Sequence, residues 1–286
     1  MTPGLIKRIG HVALGTSELD AALDFYVRVA NLTPGPPQPD GTAYLRCQAE
    51  HHALALRASA APGLDHLGFE TFSDEDTLAC RRHLERLGIE TAAAPEEPGR
   101  LGEAFRFRDP AGTSIEIYRA MALGPGVVSP GPFALNRLGH VTLLAPDLEA
   151  PARFYREALG FRVSDRAPHG VWLRCSADHH VLAFLAGGRT AFDHHAYEIP
   201  DWNELKRICD WCFRQGVPLD AGPMRHGPGN NVNVYVQGPD GVKIEFYAEM
   251  EQIRDSEDHV RARPRNAARY GNLWQFRPPA EPGGGA

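Results

Sequence analysis

Two histidines and a glutamate sit in strand-like stretches of this sequence: His140 in GHVTLLAPD, His194 in FDHHAYEIPD and Glu245 in GVKIEFYAE. A glutamate between Ile244 and Phe246 is costly to bury as a lone charge, so it wants a cation or strong hydrogen-bond partners. A metal ion would satisfy it. Two neutral imidazoles and one carboxylate from separate strands match the facial arrangement that leaves positions open on Fe(II). Taken singly, each histidine reads at least as well as a hydrogen-bonded strand residue, and the residues alone leave that choice open.

His194 has a neighbour, His195, and strand side chains alternate faces, so only one of the two can face a given cavity. His140 precedes Asp147 by the same interval as His194 precedes Asp201. That register makes His194 the counterpart of His140. His195 then takes the place of Val141, as a packing or surface residue.

The elements that must position these groups come from internal repetition. Four segments begin alike, at IGHVALGTSELDAALDFY (9), LDHLGFETFSDEDTLACRRHL (64), LGHVTLLAPDLEAPARFY (138) and FDHHAYEIPDWNELKRICDWC (192). Each reads as a short strand carrying a histidine, an acidic turn and an amphipathic helix, followed by β-like pieces with turn signals such as RDPAG and QGPDG. The unit is βαβββ, and four of them predict an α+β fold. The first two resemble the last two at a nearly constant offset, which lays YLRCQAEHHALAL on WLRCSADHHVLAF and DPAGTSIEIY on GPDGVKIEFY. Two homologous domains of two modules each are therefore expected, at 1–122 and 137–254. A glycine- and proline-interrupted linker at 123–136 joins them. Positions 255–286 form a C-terminal extension whose end, EPGGGA, has a disordered composition; YGNLWQF at 270–276 is expected to dock through its aromatics.

A net charge of −6 without large basic clusters before the C-terminal extension gives no footprint for nucleic acid. No run approaches the roughly 18 apolar residues of a membrane span, and MTPGLIKRIG lacks a signal's apolar centre. A soluble, cytoplasmic protein acting on small molecules is expected, as a homo-oligomer. Five cysteines, with Cys47 and Cys175 in strand-like stretches, point to reduced thiols. Cys209 and Cys212 spell C-x-x-C mid-helix without a preceding strand, which reads as helix packing rather than redox chemistry.

On these residues the sequence resembles the type I extradiol ring-cleavage dioxygenases of the vicinal oxygen chelate superfamily, over about positions 6–250. The resemblance implies two vicinal-oxygen-chelate domains, the C-terminal one catalytic, holding Fe(II) or occasionally Mn(II) on His140, His194 and Glu245. It implies a small aromatic diol and O2 as reactants and cleavage of the ring next to the diol. The family has a histidine and a tyrosine at fixed intervals before the glutamate ligand, and here those intervals fall on His226 and Tyr235, which would hydrogen-bond the bound diol. The family's acid/base histidine falls on His180 of DHHVLAF rather than His179. Trp172 resembles a pocket-lining tryptophan, and Thr142, two positions after His140, shares its face.

The N-terminal half keeps His11, His66 and Glu116 by offset, with His52 matching His180. It has Glu97 and Arg106 where the other half has His226 and Tyr235. The family's N-terminal half is commonly metal-free; this triad reads either as a second metal site or as a remnant in which Arg106 or a histidine neutralises Glu116. The competing functions are another metal-dependent member of the superfamily, of the glyoxalase, epimerase or thiol-transferase type, or a metal-free binding protein of the same fold. Which diol is the substrate is not dictated; Arg225 either meets an anionic substituent or is solvated.

Overall fold

The computed structural model describes residues 4–126, 128, 131–254 and 271–274. The first half runs β1 (Ile6–Thr16), α1 (Leu19–Arg28), β2 (Thr33–Pro34), β3 (Ala43–Arg46), β4 (Leu54–Ala58), β5 (Gly63–Thr71), α2 (Asp74–Arg86), β6 (Ala92–Ala93), β7 (Arg100–Arg108) and β8 (Ser114–Met121). The second repeats the order as β9 (Arg137–Ala145), α3 (Glu149–Leu159), β10 (Arg162–Ala167), β11 (Gly170–Arg174), β12 (Leu182–Ala186), β13 (Ala191–Glu198), α4 (Trp202–Arg214), β14 (Leu219–Arg225), β15 (Val232–Gln237) and β16 (Lys243–Ala248). Each half forms one eight-stranded sheet, in the orders β2-β3-β4-β1-β5-β8-β7-β6 and β10-β11-β12-β9-β13-β16-β15-β14. The expected α+β arrangement of four βαβββ modules is what the chain adopts.

The module-opening strands lie mid-sheet because modules join through them. β1 pairs antiparallel with β5, and β9 with β13. Each opening strand also pairs in parallel with the last strand of its own module: β1 with β4, β5 with β8, β9 with β12 and β13 with β16. Helices follow the acidic turns. Ser73 caps α2 by accepting from the Asp76 amide, and Asp201 caps α4 by accepting from the amides of Asn203 and Glu204; such caps contribute about 1 kcal/mol each. Helix α4 buries Leu205, Ile208 and Cys212, one stripe at helical spacing. Cys212 therefore packs a helix, and burial pushes its thiol up to about 11, away from the reactive thiolate.

One apolar core runs through both halves. Polar contacts also cross between them, each tying a turn of one half to the other half. The Tyr155 hydroxyl of α3 donates to Asp109 in the RDPAG turn at 3.0 Å, and the Ser17 amide before α1 donates to Asp240 in the QGPDG turn at 3.2 Å. No helix among the described residues is long and apolar enough to cross a membrane. Of the aromatic C-terminal segment, 271–274 is described: the Leu273 amide donates to the Arg225 carbonyl at 2.8 Å, and Trp274 meets Trp202 edge-on at 5.5 Å. The rest of that expectation lies outside the described residues.

Candidate metal centre

Strand register builds the site. Tyr235 on β15 pairs with Glu245 on β16, Glu245 with Ala196 on β13, and Ala196 with His140 on β9. Cross-strand partners share a face, so Tyr235, Glu245 and His140 form one row across the sheet. His194, two positions before Ala196, returns to that face by the strand's period of two. His195 points the other way, where its Nε2 meets the Tyr26 hydroxyl of the first half at 3.1 Å. The register argument thus selects the right histidine, and its neighbour is a buried packing residue.

Glu245 Oε2 lies 3.0 Å from His140 Nε2 and 3.1 Å from His194 Nε2. One ligand atom from each residue falls within 4.8 Å of the other two, a spacing at which a single ion can bridge them. His194 Nδ1 is held by Asp193 Oδ2 at 2.7 Å, which fixes the ring and turns Nε2 toward the glutamate. That Nε2 is buried without a well-directed hydrogen bond. The donor set suits a ferrous or manganous ion: two imidazole nitrogens and a carboxylate.

The surroundings of the carboxylate are uncharged. Asn233 Nδ2 donates to Oε1 at 2.6 Å, Asn231 Nδ2 to Oε1 at 3.1 Å, and the Tyr235 hydroxyl to Oε2 at 2.8 Å. No arginine or lysine among the described residues bonds it. Burial opposes the Glu245 charge, yet His140 and His194 outweigh it and hold the carboxyl well below its ordinary range. Burial lowers the pKa of His140 despite the pull of Glu245. For His194 burial also lowers, but bonds to Asp193 and Glu245 prevail and raise it.

The site opens onto a cavity of about 270 Å³ whose lining includes His140, Thr142, Trp172, His180, His194, His226, Tyr235 and Glu245. All eight predicted site residues converge there. His180 stacks obliquely on His140 with ring centroids 4.4 Å apart, and its Nδ1 contacts His179 Nδ1 at 3.0 Å. Burial, with the nearby His140 and His179, holds His180 well below its ordinary pKa, so it is neutral. His226 Nδ1 lies 2.8 Å from Asn233 Nδ2. The His180 loop and the 226–231 loop are stitched by Glu251, whose carbonyl accepts from the His179 amide and whose amide donates to the Gly229 carbonyl.

Asn231, Asn233 and Asp193 were not anticipated. The only sequence signal for the asparagines was their alternation with Tyr235 in NVNVYV, which puts all three on one strand face. Arg225 does not face the cavity: Nε donates to Asn230 at 3.0 Å and Nη1 lies 3.7 Å from Glu249. In the first half, Arg106 Nε donates to Glu116 at 2.7 Å, the neutralised-remnant arrangement, and Arg100 adds a second bond at 3.2 Å.

The model of the Glyoxalase/Bleomycin resistance protein/Dioxygenase superfamily matches this chain twice, over residues 8–117 and 137–246. The chain belongs to that superfamily. Among curated proteins, it is 28% identical over 274 residues to an iron-dependent extradiol dioxygenase of Rhodococcus jostii (strain RHA1), covering 87% of this chain and 91% of that one. It is 25% identical over 305 residues to a manganese-dependent 2,3-dihydroxybiphenyl 1,2-dioxygenase of Geobacillus genomosp. 3, covering 98% and 96%. A solved structure, the Mn(II)-bound glyoxalase from Novosphingobium aromaticivorans, superposes with a TM-score of 0.83 at 26% identity over 95% of this chain and 91% of that one.

Proposed function

We propose that this protein is an extradiol dioxygenase in which His140, His194 and Glu245 hold Fe(II), or Mn(II), and a small aromatic diol is opened by O2 beside its hydroxyl pair. One observation carries the reading. A fully buried carboxylate faces two imidazole nitrogens, keeps only neutral donors otherwise, and opens onto a cavity shared with His180 and His226.

Bound to these three residues, a divalent ion supplies Lewis acidity that eases ionisation of the diol and a fixed meeting place for diol and O2. Three protein donors leave positions for both reactants. His180, neutral and engaged by His179 at Nδ1, exchanges a proton with the substrate at Nε2. Asn233 Nδ2 lies 2.8 Å from His226 Nδ1 and 3.2 Å from Nε2, so it donates to whichever nitrogen is unprotonated and leaves the other N–H for a diol oxygen. Tyr235 orients Glu245 through its hydroxyl and lines the same cavity. Trp172 and Leu185 give the aromatic ring apolar walls that exclude water.

The test is anaerobic purification with iron, then oxygen uptake and visible spectra across a panel of catechols. A yellow ring-opened product with one O2 consumed per catechol is expected. Isomerisation of a glutathione hemithioacetal without oxygen uptake would instead establish the glyoxalase reading, and a protein retaining no metal would establish the binding-protein reading.

A further inference from the structure

The first half repeats the metal centre position by position. His11, His52, His66 and Glu116 match His140, His180, His194 and Glu245 at the offset that relates the halves. The register is kept: Gly68 pairs with His11 and with Glu116, as Ala196 does with His140 and Glu245. Asp65 holds His66 Nδ1 at 2.7 Å, as Asp193 holds His194. Ligand atoms of His11, His66 and Glu116 also lie within 4.8 Å of one another.

The two centres differ in what else binds the carboxylate. Arg106 stands at the Tyr235 position and Arg100 at the Gly229 position, while Gly102 and Ala104 replace Asn231 and Asn233. Arg106 Nε meets Glu116 Oε2 at 2.7 Å and its Nη2 lies 3.1 Å from His66 Nε2. A single guanidinium thus bridges the carboxylate and the imidazole that face each other directly in the second half. Arg100 Nη1 takes the other oxygen at 3.2 Å. Polar atoms are left over: His11 Nδ1, His52 Nε2 and Glu97 Oε2 are buried without hydrogen-bond partners.

We propose that Arg106, with Arg100, occupies a latent second metal site formed by His11, His66 and Glu116, and excludes a divalent transition-metal ion from it. The guanidinium supplies the positive charge that, on the function proposed above, an ion would supply in the other half. Arginine cannot shed its proton to make room, because it stays charged at any pH a protein survives. Both guanidiniums are partly covered, 10% exposed for Arg100 and 21% for Arg106, so their repulsion of an incoming dication is only partly screened by salt. Tyrosine and glycine, at the same positions of the second half, pose no such barrier.

Mn(II) is the probe. Full-length wild type, Arg106→Tyr and Arg100→Gly/Arg106→Tyr are stripped with chelator, dialysed against Mn(II), and their bound ions counted by mass spectrometry of the metal. One ion per chain is expected for wild type and two for the double variant, the added ion being lost again with His66→Ala, a residue that the neighbouring His11, His52 and Glu97 cluster does not share. A double variant that keeps the wild-type circular dichroism spectrum and stays at one ion overturns the proposal. The wild type provides a test that needs no arginine variant to fold: with His140→Ala and His194→Ala together, binding should fall to zero. A residual ion that disappears on adding His66→Ala shows that the arginines do not exclude metal. Absence of any ion from wild type would count against the proposed function, whereas the difference between double variant and wild type decides this one.

Discussion

Asn233 donates one amide to Glu245 Oε1 at 2.6 Å and contacts His226 Nδ1 at 2.8 Å through the same nitrogen, so one neutral side chain aligns two cavity-lining groups. Asn233→Leu keeps the volume and removes the donor. Outer partners of metal ligands typically tune affinity about 10- to 100-fold, and a loss of that size in Fe(II) or Mn(II) affinity is expected, read by chelator competition. Unchanged affinity would remove Asn233 from the site.

His180 lies against His140 yet is not one of the three donors. His180→Phe should therefore retain its metal while turnover falls by about 100- to 10,000-fold, the usual range for losing a general acid/base. Oxygen-electrode rates alongside metal content check this; near-normal kcat would assign the proton transfer elsewhere.

A Cβ on Gly139 would lie 1.8 Å from the Tyr247 hydroxyl, and one on Gly10 would lie 1.7 Å from that of Tyr118. Each glycine precedes a module-opening histidine and lets a tyrosine pass beside its strand. Gly139→Ala should cost about 1–3 kcal/mol of stability through overpacking and displace His140. Adding Tyr247→Phe should restore part of the melting temperature and of the metal affinity. No loss in the single variant would contradict the packing.

Burial, and after it the charge of Glu116, raises the Glu97 carboxyl to about 7. An acid with a raised folded-state pKa favours the fold below its unfolded value, and that advantage fades as pH climbs through the folded one. Glu97→Gln should therefore gain melting temperature relative to wild type at pH 8, with the gap closing towards pH 4.5. Burial lowers His11 and His52 well below their ordinary values, so they act on the acid side. The unfolded chain protonates them first, and stability falls as pH drops below about 6.5. Thermal melts of the metal-free protein across this range check both limbs.

The module layout was legible because each unit opens with the same strand, histidine and acidic turn, and because offset arithmetic needs no coordinates. His194 could be told from His195 because alternation in a strand is a rigid rule once Asp147 and Asp201 set the register. Asn231 and Asn233 escaped because nothing in an asparagine points to a carboxylate until β15 is laid against β16. Arg100 escaped for a related reason. It reaches Glu116 only because β7 folds back on β8 with a shift between Leu101 and Ala104. Of two candidates for neutralising Glu116, an arginine or a histidine, folding chose the arginine.

Tyr155 reaching Asp109 and Ser17 reaching Asp240 mean that each half lends the other the anchor for a hairpin turn. Those turns lead directly into β8 and β16, the strands that carry Glu116 and Glu245. Ancestral duplication has thus become mutual custody: the half plugged by arginine still steadies the turn from which its twin's carboxylate is hung.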